Sequence, residues 1–283
     1  MFKRMYLFFV NLALLGVLLS LTIFGLTRDK LAANPTFFII FLSLIGILSL
    51  CMMHRYICIP FLFAVFSVLS VVRILSLHHS LQPIYPLLVS LLCLVVLFLT
   101  IAYQDVKKRP IQLRNVPQTR FNMSAYEWHL SFIRIYVGFD LIAHCTEKLF
   151  AGQIPFQADV TAFKHLNVID PAFFVRFAGL CELAGVISLG LGLLTRLGAL
   201  STSLYLMMAT LIGHHFLKGF IWASPGGGWE YPVMWSVFIL SYAVLGADEF
   251  SIDGVLDKQF HLPRWLKRFM GVMKSDGQIE HTV

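Results

Sequence analysis

The sequence predicts an all-α, polytopic integral membrane protein with about eight transmembrane helices, four of them in a C-terminal bundle. Three observations carry that prediction. Of 283 residues, 58% are hydrophobic and only 13% are charged, against about 25% charged in an ordinary soluble domain. Eight stretches stay apolar over roughly the 20 residues a helix needs to span a bilayer. The breaks between them carry charge, proline or glycine: "TRDKLAANP", "HRY", "HHSLQP", "KKRP", "TR" and "SPGGGWEYP".

The predicted spans are 5–26, 36–53, 57–77, 84–103, 128–149, 173–194, 197–217 and 232–248. The first begins "MFKRMYLFF", like a secretory leader, but its apolar run exceeds the usual ~7–15 residues of a leader core. Arg28, Asp29 and Lys30 then follow it, so a retained first helix is expected. The short breaks "HRY" and "TR" predict tight helical hairpins. The segment 150–172 has apolar residues near helical spacing and predicts a short helix lying on the membrane surface.

Orientation follows from Lys and Arg, which favour the cytoplasmic side. With both termini inside, fifteen of the 22 Lys and Arg fall on the cytoplasmic side. The chain then divides into an N-terminal four-helix membrane region at 1–103, a basic cytoplasmic linker at 104–127, a second four-helix bundle at 128–257 and a basic cytoplasmic tail at 258–283. The location implied is the inner (plasma) membrane. The tail, "KQFHLPRWLKRFMGVMK", reads either as an interfacial segment on anionic lipid or as a solvated positive tail. The net charge of +7 is scattered among apolar runs, so the partner it implies is a lipid bilayer and not nucleic acid.

The halves differ in chemistry. Helices one to four hold little intramembrane charge beyond Arg73, whose place at a helix end with His78 and His79 is explained by headgroup contact. Arg134 and Arg196 lie near inside ends and can snorkel. The fifth segment carries Asp140, His144, Glu147 and Lys148 at i, i+4, i+7 and i+8, which share one helical face. Charges inside a bilayer are costly and usually face the bundle interior. Glu182, about ten residues into the sixth segment, falls near the depth of Asp140. Cys181, Ala184, Ser188 and Gly192 form a small-residue stripe beside it, which lets helices approach closely. The seventh and eighth segments bring "GHH" and "GWEYP" to the same rim. His214 and His215 point about 100° apart, and His214 is expected to face inward, with Glu230 at the entrance.

An outward-opening polar funnel results, and it admits three chemistries. His and Glu together can carry protons to or from a quinone. Two His and a carboxylate can bind a metal. A purely structural network can stitch the helices together. Haem between His144 and His214, and a metal centre, are the less favoured cofactors. The "GGG" at 226–228 lacks the Lys and Ser/Thr of a phosphate loop. The five cysteines, Cys51, Cys58, Cys93, Cys145 and Cys181, form no CxxC and read as apolar packing, with a Cys145–Cys181 pair as the alternative.

Residues 127–257 resemble the DoxX family of bacterial and archaeal four-helix membrane proteins. "RIYVGFDLIAHCTEKLF" resembles the family's first helix, with His144 and Lys148 in its H-G-x-x-K-like ending. "CELAGVISLGLGLLTRLGAL" resembles the second helix and its hairpin, and "GHHFLKGF" and "GWEYP" the third helix's His and the acidic start of the fourth. "GADEFSID" resembles the closing S-x-D signature, with Asp253. Cys145, where the family usually has Gly, and the added acid Glu147 depart from the pattern. The family is named for a terminal quinol oxidase and thiosulfate:quinone oxidoreductase system. The resemblance therefore implies a quinone-linked oxidoreductase component, acting alone or with a separate redox subunit. In that reading Glu182 and His144 move protons and Lys148 balances their charge. Asp140, Glu147, His214 and Glu230 line the substrate path. The alternative is a non-catalytic scaffold or small-molecule carrier.

Overall fold

A computed structural model describes residues 2–27, 31–107, 121 and 123–272. Among these residues every regular element is helical. The helices are α1 (Phe2–Thr27), α2 (Ala33–Met52), α3 (Cys58–Leu77), α4 (Ile84–Lys107), α5 (Ala125–Asp140), α6 (Ile142–Leu149), α7 (Gln153–His165), α8 (Pro171–Gly185), α9 (Thr195–Ile212), α10 (Glu230–Leu245), α11 (Ile252–Gln259) and α12 (Arg264–Met270). A π-type turn over Val186–Gly190 prolongs α8, and a 3-10 turn over His215–Lys218 follows α9. Five helices are long and apolar enough to cross a membrane: α1 to α4 and the continuous Pro171–Gly190. The α10 helix is apolar but shorter. The chain is thus an all-α, polytopic membrane protein.

The long helices run alternately up and down. Tyr6 near the start of α1 donates to the Met53 carbonyl after α2 at 2.8 Å. Ser20 near its end donates to the Pro83 carbonyl before α4 at 2.7 Å. One end of the molecule, here the terminal end, holds the start of α1, the hairpin 53–57, α11 and α12. The far end holds α7 and the turns at 78–83 and 213–229.

Two sequence-predicted spans are interrupted. The expected helix 128–149 is α5 and α6, divided at Leu141, whose φ of −62° and ψ of −18° keep the path helical. Its start is earlier than expected because Ser124 accepts from Glu127 N while the Glu127 side chain reaches back, a capping box. The expected helix 197–217 stops at Ile212, because His214 takes a left-handed φ of 55°. Of the expected linker, α4 occupies the first part to Lys107, and 108–120 and 122 lie outside the described residues, as does the tail beyond 272. The helix expected within 150–172 is α7.

The second half is a bundle of α5–α6, α8, α9 and α10, and the first half packs on it through α3 against α6 and α4 against α5. Phe61 and Phe98 of the first half enclose Phe250 with Trp128, the Phe61–Phe250 and Phe98–Phe250 centroids lying 5.6 and 5.5 Å apart. Edge-on aromatic pairs of this kind add roughly 0.5–1.5 kcal/mol beyond area burial. Within the second half, a Cβ at Gly138 would collide with the Gly190 backbone, so α5 and α8 touch backbone to backbone. The expected small-residue stripe is only partly used. Ala184 is exposed, while Gly179 abuts Lys148 and Leu149, Gly185 abuts Leu141, and Ser188 packs on Gly198 of α9.

At the terminal end lies a second polar cluster. Arg134 does not snorkel: it is 0% exposed and paired with Asp248 at 2.9 Å. It also donates to the Phe250 carbonyl at 2.7 Å and to the Leu189 carbonyl. Asp253 of α11 accepts from Leu194 N, Thr195 N and the Thr195 hydroxyl, each at 2.9 Å. The "SID" carboxylate thereby caps α9, satisfying amides that a helix start leaves unpaired. These bonds fix the loop 248–253 under the bundle.

Candidate functional site

The far-end cluster is built outward from Lys148. Its side chain is 7% exposed and cannot reach water freely. Its Nζ lies 3.2 Å from Glu182 Oε2 and 3.5 Å from Glu147 Oε1, and donates to the His144 carbonyl at 3.1 Å. An isolated ammonium in so dry a place would be strongly destabilising, and the two carboxylates offset that cost. Close approach makes the pair possible, since Gly179, one turn before Glu182, leaves no room between α8 and the Lys148 Cβ.

Each carboxylate has a further partner. Glu182 is 7% exposed, and its Oε1 accepts from the Tyr205 hydroxyl of α9 at 2.7 Å. Glu147 Oε2 meets Arg73 Nη2 of α3 at 2.6 Å, and Glu147 Oε1 lies 3.7 Å from His144 Nδ1. The His144 side chain is 49% exposed. The cluster therefore runs from an accessible imidazole to a half-buried phenol through contacts of at most 3.7 Å. Asp159 of α7 sits beside it. Burial holds the Asp159 carboxyl above the usual carboxylate range, against the pull of Lys148.

Asp140 belongs to a neighbouring aromatic wall. Its Oδ2 accepts from the Tyr231 hydroxyl at 2.6 Å. Ring centroids then step from Trp222 to Tyr231 (5.6 Å), to Trp235 (5.4 Å) and to His144 (6.1 Å). Trp235 is fixed by donating to the Val137 carbonyl at 3.2 Å. His144 is where the ionisable cluster and the wall meet.

The structure thus brings together Glu182, His144, Lys148 and Glu147, and places Asp140 one step away. It does not bring His214 or Glu230 to them. His214 is exposed beyond the end of α9, with a left-handed backbone. Glu230 is exposed and accepts from Trp222 N at 3.3 Å. The histidine held in place is His215, whose Nδ1 lies 2.7 Å from the Gly227 carbonyl. The α9 helix ends one turn before the expected boundary, and the turn at Gly213 alters where both histidines sit.

Five residues of the site were not assigned to it by sequence: Arg73, Tyr205, Trp222, Tyr231 and Trp235. Arg73 carried a signal, being a lone cation at the end of an otherwise apolar segment. The aromatic residues carried none, because one Tyr among many in a membrane helix looks like packing. All five cysteines are free, so Cys145 and Cys181 are not paired. Among the described residues no group of three His, Cys, Asp or Glu is arranged to hold a metal ion.

Comparison with known proteins finds similarity over part of the chain. The DoxX family model matches residues 129–215. An uncharacterized protein of Haemophilus influenzae is 30% identical over 139 residues, which are 49% of this chain and 98% of that protein. No solved structure matches the chain.

Proposed function

We propose that this chain, which belongs to the DoxX family of membrane proteins, is the proton-handling component of a quinone-linked redox system of the inner membrane, with both termini cytoplasmic. The observation that carries the reading is the unbroken set of ionisable contacts from half-exposed His144 through Glu147, Lys148 and Glu182 to Tyr205. Ionisable groups inside a membrane bundle are costly and mark proton or substrate paths.

The residues present fit a quinone. A flat ring suits the wall of Trp235, Tyr231 and Trp222, and His144 is the donor with an exposed imidazole at the edge of that wall. When bound, a quinone would supply two-electron, two-proton chemistry. The chain's own part is to hold and move protons. His144 takes a proton from solvent and shares it with Glu147. Lys148 balances the charge of the two carboxylates it faces. The Tyr205 hydroxyl donates to Glu182 across their 2.7 Å contact and holds that carboxylate toward Lys148. A separate redox subunit would supply the electrons.

A second reading is a scaffold or small-molecule carrier in which the same groups are structural. It is favoured by Lys148, whose amine already faces three acceptors. The two readings separate on purified protein. Lipid extraction is expected to yield bound quinone from the wild type and less from His144→Ala. No quinone in either, together with unchanged redox activity of membranes carrying Glu182→Gln, would leave the structural reading.

A further inference from the structure

The first four helices are outside the region matched by the family model, yet they reach into its charged cluster. Arg73 of α3 makes two contacts there. Its Nη2 meets Glu147 Oε2 at 2.6 Å, and its Nε donates to the Ala143 carbonyl at 3.1 Å. Nearby, His78 Nε2 lies 2.7 Å from the Ala151 carbonyl. The Phe38 ring of α2 packs on Phe150 at 5.0 Å, and Pro35 abuts Gly152. The whole stretch 143–152 is thus held from one side by α2 and α3.

The charge balance shows what Arg73 does. Glu147 has one oxygen toward Arg73 and the other toward Lys148 and His144. Without Arg73, Glu147 and Glu182 would share a single buried amine. A carboxylate left without compensation in such surroundings either takes a proton or moves toward water. With Arg73 present, Lys148 is free to sit 3.2 Å from Glu182.

We infer that the N-terminal half is the built-in partner of the C-terminal bundle, with Arg73 the positioning residue that neutralises Glu147 and pins α6 so that Lys148 serves Glu182. Its functional weight rests on the proton-handling reading, but its geometry does not. The fork of Arg73 matters as well as its charge, because a lysine there can meet Glu147 but has no second nitrogen placed to reach the Ala143 carbonyl.

The test reads the local order of α6 in the full chain, in membranes, by the rate at which a maleimide labels each cysteine, resolved by mass spectrometry. Cys145, buried on α6, reports on the site, and Cys58, buried beside Ser251 at the terminal end, is the internal control. Arg73→Gln is expected to speed Cys145 labelling about tenfold or more, as local opening does, with Cys58 unchanged. Arg73→Lys should restore part of the protection. The swap Arg73→Glu with Glu147→Arg should restore more than either single change, which a packing role alone would not do. An unchanged Cys145 rate in Arg73→Gln, or equal gains at Cys145 and Cys58, would overturn the inference, as would a swap no better than its single variants. Should Arg73→Gln not accumulate, Arg73→Lys and Arg73→Gln/Glu147→Gln carry the test. Neither leaves Glu147 as an uncompensated charge, so both must accumulate, with Cys145 labelled more slowly in Arg73→Lys than in the double variant, which has no ion pair to pin α6; loss of both, or equal labelling of both, refutes the proposal. Because no readout involves electron transfer, a failure of the quinone reading leaves this result standing, and the reverse.

Discussion

Lys148→Met places the sharpest demand on the charged cluster. The Lys148–Glu182 pair is 7% exposed on both sides and spans 3.2 Å. Removing one partner of such a buried pair costs about 3–5 kcal/mol, because the other charge stays behind. At about 2–4 °C per kcal/mol for a chain of this size, the melting temperature in detergent should fall by roughly 10 °C. Glu147 adds little to the loss, since it keeps Arg73 at 2.6 Å. The double variant Lys148→Met/Glu182→Leu removes both charges, an exchange often close to neutral. What it retains is an orphaned Tyr205 hydroxyl, costing about 1–3 kcal/mol. Thermal melts by scanning fluorimetry should therefore rank wild type above the double variant and the double above the single. A single variant that melts with the wild type, or a double variant as weak as the single, would refute the reasoning.

Further outcomes follow from other positions. Arg134→Met leaves Asp248 buried and unpaired, and should reduce the amount of folded protein in membranes by more than any single change in the far-end cluster; equal yield would contradict the 0% exposure of Arg134. Gly138→Ala forces a methyl into the Gly190 backbone and should cost about 1–3 kcal/mol in the same melts, whereas Gly25→Ala, which meets nothing, should be silent. Asp159 has its carboxyl raised by burial, so its folded state binds the proton more tightly than the unfolded one. Its stabilising contribution is complete below the unfolded value of about 3.8 and is lost as pH rises through the folded value. Asp159→Asn should therefore be as stable as wild type at low pH and no less stable at neutral pH, with a flatter pH profile.

Much of the fold was legible because its cause is local. Apolar runs of span length and charged breaks locate α1 to α4 directly. The shared face of His144, Glu147 and Lys148 also follows from 3.6-residue periodicity, which holds through α6. Counting residues from each helix end set Glu182 level with Asp140, whereas it meets Lys148, about two turns further along the fifth segment. What stayed hidden depended on contacts between distant segments. Arg73 looked like a headgroup ligand because nothing in its own helix reveals that Glu147 faces it. Arg134 looked able to snorkel because its partner, Asp248, lies 114 residues away. His214 was carried into the site by extending a helix that Gly213 and a left-handed residue bring to an end. Asp253 is the reverse case. Its motif could be recognised, but only the structure shows a carboxylate capping α9.

The most direct test of the account is photolabelling with an azido-quinone in membranes containing the full chain, with labelled peptides mapped by mass spectrometry. The account predicts label on the segments bearing His144 and Trp235, displaced by unmodified quinone and lost in His144→Ala/Trp235→Leu. Label confined to other helices, or label at this site that excess quinone does not displace, would contradict it.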